Sequence, residues 1–463
     1  MLLFPFILLV SNLLLIRMVQ AQRHYCLSED LNPNMLFGSN TIYETTRGKV
    51  EHNLLPECEV KAIWTLVRVG SHYPRKSDFK MWEKMNEMKD VILSNHRTKA
   101  RGSLCPRDLD ALESWYPVLD ITNENMLNKV GMSETTEIGK DLVKMYPKVF
   151  KNMSVPATVM YAYSSQNPAK QTAQVFLDGM RLAGSTARVI NLGEFSALSV
   201  DQSCPKYKDF LTSPENLKES RMYKAQMEIK EMLKEVSHRL GYSYDLNFDV
   251  VFQMYKLCSF ETGAYLGKIS PWCAVFEKRH FKIFQNDEDI NSYYTMGFGS
   301  TYAPRLGCPA IKNLFQILGE ITKHTPDDPQ VTVLFAHSNT LRFVLTALGI
   351  AWDSTILTAR NVDVREDRMW NSSLMVPFSA NLQVVLHKCQ NYKVTFILNN
   401  YKVLYSTCNS TKCDWDVLRD EYEDIIDPLS CNFDFCSHQL NSIGHNTHVH
   451  FFVTLLVMFK IIW

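Results

Sequence analysis

The chain has no excess of either charge: 49 Lys and Arg balance 49 Asp and Glu over 463 residues. Such a balance offers neither an electrostatic stripe for a nucleic-acid backbone nor a polybasic membrane patch, so neither partner is expected. No CxxC pair occurs, which removes the common zinc and thioredoxin-type spacings. No cluster with metal-ligand spacing is found either, so metal-assisted chemistry has no support and no cofactor is expected. Internal repeats and low-complexity segments are also missing. What remains is an ordinary globular composition, 46% hydrophobic and 21% charged, long enough to bury a large core.

The two ends carry processing signals. Residues 1–21 form an apolar run ending Val19-Gln20-Ala21, which suits a signal peptide cleaved before Gln22. The usual basic n-region is missing and Arg17 comes late, so an N-terminal membrane anchor is the alternative. Twelve cysteines, an even number, lie between Cys26 and Cys436. Behind a signal peptide they read as disulfides formed in the secretory pathway, with the pairing left open. Three sequons, at Asn152, Asn371 and Asn409, agree with that compartment. The last 15 residues, VHFFVTLLVMFKIIW, fall short of the ~20 needed for a membrane-spanning helix, and Lys460 interrupts them. Set behind Asn441, Ser442 and Gly444, residues 441–463 resemble a GPI-attachment signal, with Ser442 the candidate lipidation site. The expectation is a cell-surface protein held to the membrane by a lipid anchor, or a secreted one.

Between the ends, apolar strands alternate with helical segments. Ala62–Val67 is apolar at nearly every position, as in a strand covered on both faces. Helix Phe79–Leu93 follows. Ala157–Ser164, helix Ala169–Leu182 and Ala187–Leu192 make a β-α-β unit. Helix Pro309–Thr322, strand Val331–Phe335, helix Thr340–Leu348 and a hairpin-like pair, Leu382–Cys389 with Lys393–Leu398, complete the pattern. Two helix-rich excursions interrupt the strands. The fold class is therefore α/β, a sheet flanked by helices with an inserted α-helical cap. We place the core at about 43–94, 155–200 and 303–413 and the cap at about 95–154 and 201–302, in one domain over 22–440. Ligands in open α/β sheets gather beyond the carboxyl ends of strands. Arg68, Ser164 and His337 stand at such ends.

The stretch VRVGSHYP, with Arg68, Gly70 and Pro74 in register, resembles the R-H-G-x-R-x-P signature of the histidine acid phosphatases. The later HSN at His337–Asn339 resembles that family's H-A-E or H-D element. MYKLCSFETGAYL with SPWCAVFEK, YYTMGFGSTYAPRLGCP, and VPFSANLQVVLHKC with VTFILNN are similar to its multiple inositol polyphosphate phosphatase branch. The similarity runs from about Tyr43 to Cys413 and implies a histidine-phosphatase-like sheet. It also implies a mechanism: the signature histidine attacks phosphorus, arginines and a second histidine hold the phosphate oxygens, and an acid protonates the leaving alcohol.

Position by position, this chain departs from that pattern. The nucleophile's place is taken by Val69, the second signature arginine's by His72, and the arginine after the second strand by Pro168. The acid's place is taken by Asn339, an amide that cannot protonate a leaving group. Losing a general acid alone removes ~10²–10⁴ in rate, and losing the nucleophile closes the covalent route. The phosphate-binding residues that remain are Arg68, His72, His337 and, as a point charge, Lys170. The resemblance thus implies a relative of the multiple inositol polyphosphate phosphatases that is impaired or inactive and binds an inositol polyphosphate or another phosphorylated small molecule. Two rivals stand beside it: an active phosphomonoester hydrolase with a displaced nucleophile, His72 foremost, and a scaffold glycoprotein serving protein contacts.

Overall fold

The computed structural model describes residues 25–437, apart from 31–35, 52–54, 118, 120, 265–266 and 424–430. The expected signal peptide, Ser442 and the apolar tail lie outside the described residues. Within them, no helix is long and apolar enough to cross a membrane.

An eight-stranded mixed sheet forms the centre. In chain order its strands are β1 (Glu59–Arg68), β2 (Thr158–Tyr163), β3 (Arg188–Glu194), β4 (Gln330–Ala336), β5 (Asn381–Lys388), β6 (Tyr392–Leu398), β7 (Tyr401–Lys402) and β8 (Cys413–Asp414). The spatial order is β3-β2-β4-β1-β5-β6-β7, and β8 pairs with β6. The first four strands run parallel, while β5 lies antiparallel to β1. β1 is therefore central and buried on both faces, as its unbroken apolar run requires. Ala62, Trp64 and Leu66 enter one core cluster, and Ile63, Val67 and Val69 the other. Val60 joins the second group because Lys61 is an extra residue opposite β5, a bulge that resets the alternation.

One sheet face is covered by α1 (Lys129–Met145) and α2 (Asn167–Leu182), packed together over Val159, Val331 and Phe335. This corrects the expected cap boundary. Residues 129–150 belong to the core layer, because Ile138, Leu142, Val143 and Phe150 bury against the sheet. On the other face lie α6 (Ala303–His324) and α7 (Ser338–Ala347), joined by the cap helices α3 (Met227–Arg239), α4 (Phe248–Ala264) and α5 (Lys278–Met296).

All twelve cysteines pair: 26–105, 58–389, 204–436, 258–273, 308–431 and 408–413. Of the sequons, Asn152 and Asn409 are exposed. Asn371 is not: it is 8% exposed and its Oδ1 accepts from the Ser373 backbone N–H at 3.1 Å, capping a short helix. The sequon at Asn371 therefore lies at a buried helix cap, unlike the other two.

Candidate active site

The parallel strands β2, β4 and β1 are neighbours, so their carboxyl ends set Ser164, His337 and Arg68 side by side. The Ser164 backbone N–H donates to Phe335 O at 2.9 Å, and the Val69 N–H donates to Ala336 O at 2.9 Å, which stitches the three ends together. Each end also presents a buried polar atom without a protein partner: Ser164 Oγ, His337 Nε2 and Arg68 Nε.

Arg68 is 4% exposed. Its Nη1 donates to the carbonyls of Ser39 and Val376, and its guanidinium lies 4.6 Å from the Phe378 ring centroid. Burial pushes its pKa down to about 9, with the nearby Arg342 adding to the effect and Glu288 and Glu134 opposing it. Arg68 is thus held by backbone on one side and open at Nε.

Past β1 the chain makes a tight turn. Val69 is buried and carries no lone pair into the site. The Gly70 N–H donates to Thr172 Oγ1 at 3.2 Å, and Thr172 donates on to Pro168 O at 2.6 Å. Pro168, where the resemblance calls for an arginine, thus serves as an anchor for the turn. Ser71 Oγ donates to Gly263 O at 2.8 Å and accepts from Asn128 Nδ2 at 2.9 Å. His72 is half-buried, its ring edge-on to Phe378 at 5.4 Å, and its Nδ1 lies 2.9 Å from Gly70 O. A carbonyl only accepts, so Nδ1 carries the proton and the lone pair of the neutral ring sits on Nε2. Burial lowers the His72 pKa to about 4 against the Gly70 hydrogen bond, and Arg68 and Arg75 lower it further.

His337 precedes α7 and its imidazole is held neutral as well, at about 3, by burial first and then by His72, Arg68 and Arg75. Two residues on, Asn339 Nδ2 donates to Asp201 Oδ2 at 3.1 Å. One turn further, Arg342 is buried, its Nη2 donating to Glu288 Oε1 at 2.6 Å and Ser372 Oγ at 3.0 Å, while Nε has no protein partner. Glu288 in turn accepts from the Ser39 N–H at 3.0 Å. The chain Arg342–Glu288–Ser39–Arg68 therefore fixes one guanidinium relative to the other.

Of the expected phosphate-binding residues, Arg68, His72 and His337 come together. Lys170 is exposed in the first turn of α2, with no bond tying its ammonium to the site. Sequence reasoning missed Arg342 and Asp201. Arg342 lies five residues after His337, on the helix that His337 precedes, a spacing that could have flagged it. Asp201 is 138 residues from Asn339, and nothing in the chain announces their contact.

Comparison with known proteins agrees with this fold. A family model for the histidine phosphatase superfamily (branch 2) matches residues 61–402. The chain is 28% identical over 443 residues to multiple inositol polyphosphate phosphatase 1 of Drosophila melanogaster, covering 92% of this chain and 93% of that one. To the Homo sapiens protein of the same name it is 25% identical, covering 86% and 85%. Among solved structures, the phytase from D. castellii shares the fold with a TM-score of 0.67 at 16% identity, covering 86% and 85%. The multiple inositol polyphosphate phosphatase of Bifidobacterium longum, in complex with inositol hexasulfate, gives 0.59 at 11% identity, covering 82% and 96%. The model match spans well over half of the chain, from within β1 to the end of β7, and the chain belongs to the histidine phosphatase superfamily, branch 2.

Proposed function

We propose that the protein binds a phosphate-bearing small molecule, an inositol polyphosphate by its relatives' names, at the carboxyl ends of β1, β2 and β4, and that hydrolysis through residue 69 is lost. The observation that carries this reading is the set of unpartnered buried atoms there: Arg68 Nε, Ser164 Oγ and His337 Nε2. Buried donors without partners cost free energy, and a bound oxyanion satisfies them. The buried Arg68 guanidinium adds positive charge, while Arg342 beside it is paired with Glu288. The six disulfides favour an oxidising compartment, so the secretory pathway is the proposed location, with release or a lipid anchor at the cell surface.

Calorimetric titration with inositol hexakisphosphate tests the reading. We expect saturable binding that His337→Ala and Ser164→Ala each weaken by roughly tenfold. Arg68→Ala weakens it further and also costs stability, since it unties Ser39 and Val376. Absence of saturable binding, or indifference to all three changes, would leave the scaffold reading in its place.

A second reading, slow hydrolysis with His72 as displaced nucleophile, is favoured by one specific observation. The Gly70 carbonyl fixes the His72 tautomer with its lone pair on Nε2, and a neutral imidazole needs no deprotonation to attack.

A further inference from the structure

We propose that Asp201 supplies the proton to the leaving group in this site, in place of the carboxyl that residue 339 lacks. The inference rests on the second reading above, attack by His72, and adds to it the group that completes the reaction.

The geometry begins at Asn339. Its amide stands at the carboxyl end of β4, next but one to His337, and its Nδ2 donates to Asp201 Oδ2 at 3.1 Å. Asp201 belongs to the 3-10 turn Ser196–Ser203 that follows β3. That turn is tied to the same helix by Thr340 Oγ1, which donates to Leu198 O at 2.7 Å. A carboxyl is therefore delivered to the position-339 side chain from a different part of the chain and held there by two independent contacts.

The chemistry of the contact suits a donor. Asp201's partner is a neutral amide, whereas an arginine partner would fix it as a carboxylate. Burial raises the Asp201 pKa, opposed by Asn339, by hydrogen bonds from the backbone N–H groups of Gln202 and Asp201 itself, and by the more distant Lys208; the rise prevails. The other group facing it, Tyr207, is neutral, its hydroxyl held high by burial and by Asp201 itself.

The step balances as follows. The Nε2 lone pair of His72 forms a bond to phosphorus, and the bond from phosphorus to the ester oxygen breaks. Its electron pair stays on that oxygen, which takes the proton of Asp201 and leaves as an alcohol. Water then attacks phosphorus, Asp201 takes its proton back from that water, and the N–P bond returns its pair to His72 with release of phosphate. No oxidant, metal or second substrate is needed beyond the ester and water.

A proton donor matters only when the leaving oxygen is basic, and this gives the test. Phosphate release by the full-length protein is measured with glycerol phosphate, whose alkoxide needs a proton, and with p-nitrophenyl phosphate, whose phenolate leaves without one. We expect D201N to lower glycerol phosphate turnover by ~10²-fold or more and nitrophenyl phosphate turnover by less than ~3-fold. H72A should abolish both. N339A, which frees Asp201 without removing it, should cause the same selective loss to a smaller degree, and keeps the test open if D201N fails to fold. Equal losses on both esters, or no loss on either, would overturn the role of Asp201 while leaving attack by His72 standing. No release from either ester by the unaltered protein would overturn both, and the binding titration would still decide the anion-site reading by itself.

Discussion

Burial beside a buried guanidinium keeps two imidazoles, His72 and His337, uncharged at about 4 and about 3. In the unfolded chain each returns to 6.5. Between those values the unfolded state binds more protons than the folded one, so stability rises with pH across that window. The contribution is full above pH 6.5 and drains away as the pH falls toward about 4 and 3. Glu134 works in the opposite sense: burial pushes it up to about 8 although it accepts from the Glu44 N–H at 3.0 Å. Its ionisation therefore costs stability progressively from pH 4.5 upward until about 8. We expect His337→Gln to flatten the acid side, with a urea midpoint that falls less between pH 6.5 and 3 than in the unaltered protein. The difference is at most about 1.4 kcal/mol per pH unit. An unchanged slope would mean that His337 is not buried as a neutral ring. At this scale the sequence was legible wherever a residue's position follows from its place at the end of a strand, as for Arg68 and His337. It failed for Lys170, because counting along the chain cannot tell which way a side chain on the first turn of a helix extends. Asp201 was invisible for another reason, since its partner is supplied only by the folded topology.

The turn at residues 69–72 owes its shape to the helix behind it. Asn128 caps α1 with its Oδ1, accepting from the Gly131 N–H at 2.9 Å, while its Nδ2 holds Ser71 Oγ. Gly131 lets the backbones meet: a Cβ there would sit 2.0 Å from Ser71 O and 2.6 Å from Ser71 N. Backbone on both sides cannot yield as a flexible side chain would, so Gly131→Ala must push the turn and α1 apart. The expected cost is ~1–3 kcal/mol or more in a urea unfolding experiment, with a parallel loss of anion affinity because His72 moves with the turn. A variant as stable as the original would show that the turn is not seated on α1. The same contact explains where the sequence misled at the level of elements. The strands announced themselves by apolar runs, and the parallel order β2-β4-β1 brings the candidate residues at their ends together. Residues 129–150, rich in charge on one side, looked like cap. Their burial against Val159 and Phe335 is a property of a sheet face that no local pattern names.

For the molecule as a whole, the disulfides and the sequons bear on the same question, which is the compartment in which it folds. Cys58–Cys389 joins the start of β1 to the end of β5 across 331 residues, and Cys308–Cys431 ties the helix before β4 to the segment after β8. Cross-links over such spans restrict the unfolded chain strongly, by ~5–6 kcal/mol each in the chain-entropy account, but only where thiols oxidise. A chain passing through that compartment also meets the glycosylation machinery. The fold separates its three sequons, for Asn152 and Asn409 stand at the surface. Asn371 faces inward as a helix cap, and its sequon partner Ser373 is fully buried, donating from Oγ to Gln285 Oε1 at 3.0 Å. A glycan at Asn371 would have to break that cap and open the contact between this segment and α5. Expressed in a secretory host, the protein should therefore carry glycans at Asn152 and Asn409 and none at Asn371, as read by peptide mapping before and after enzymatic glycan removal. Glycan on Asn371 in folded, secreted protein would contradict the burial of that segment. Bare asparagines at all three positions would instead count against the secretory route, leaving the disulfides without the compartment that they require.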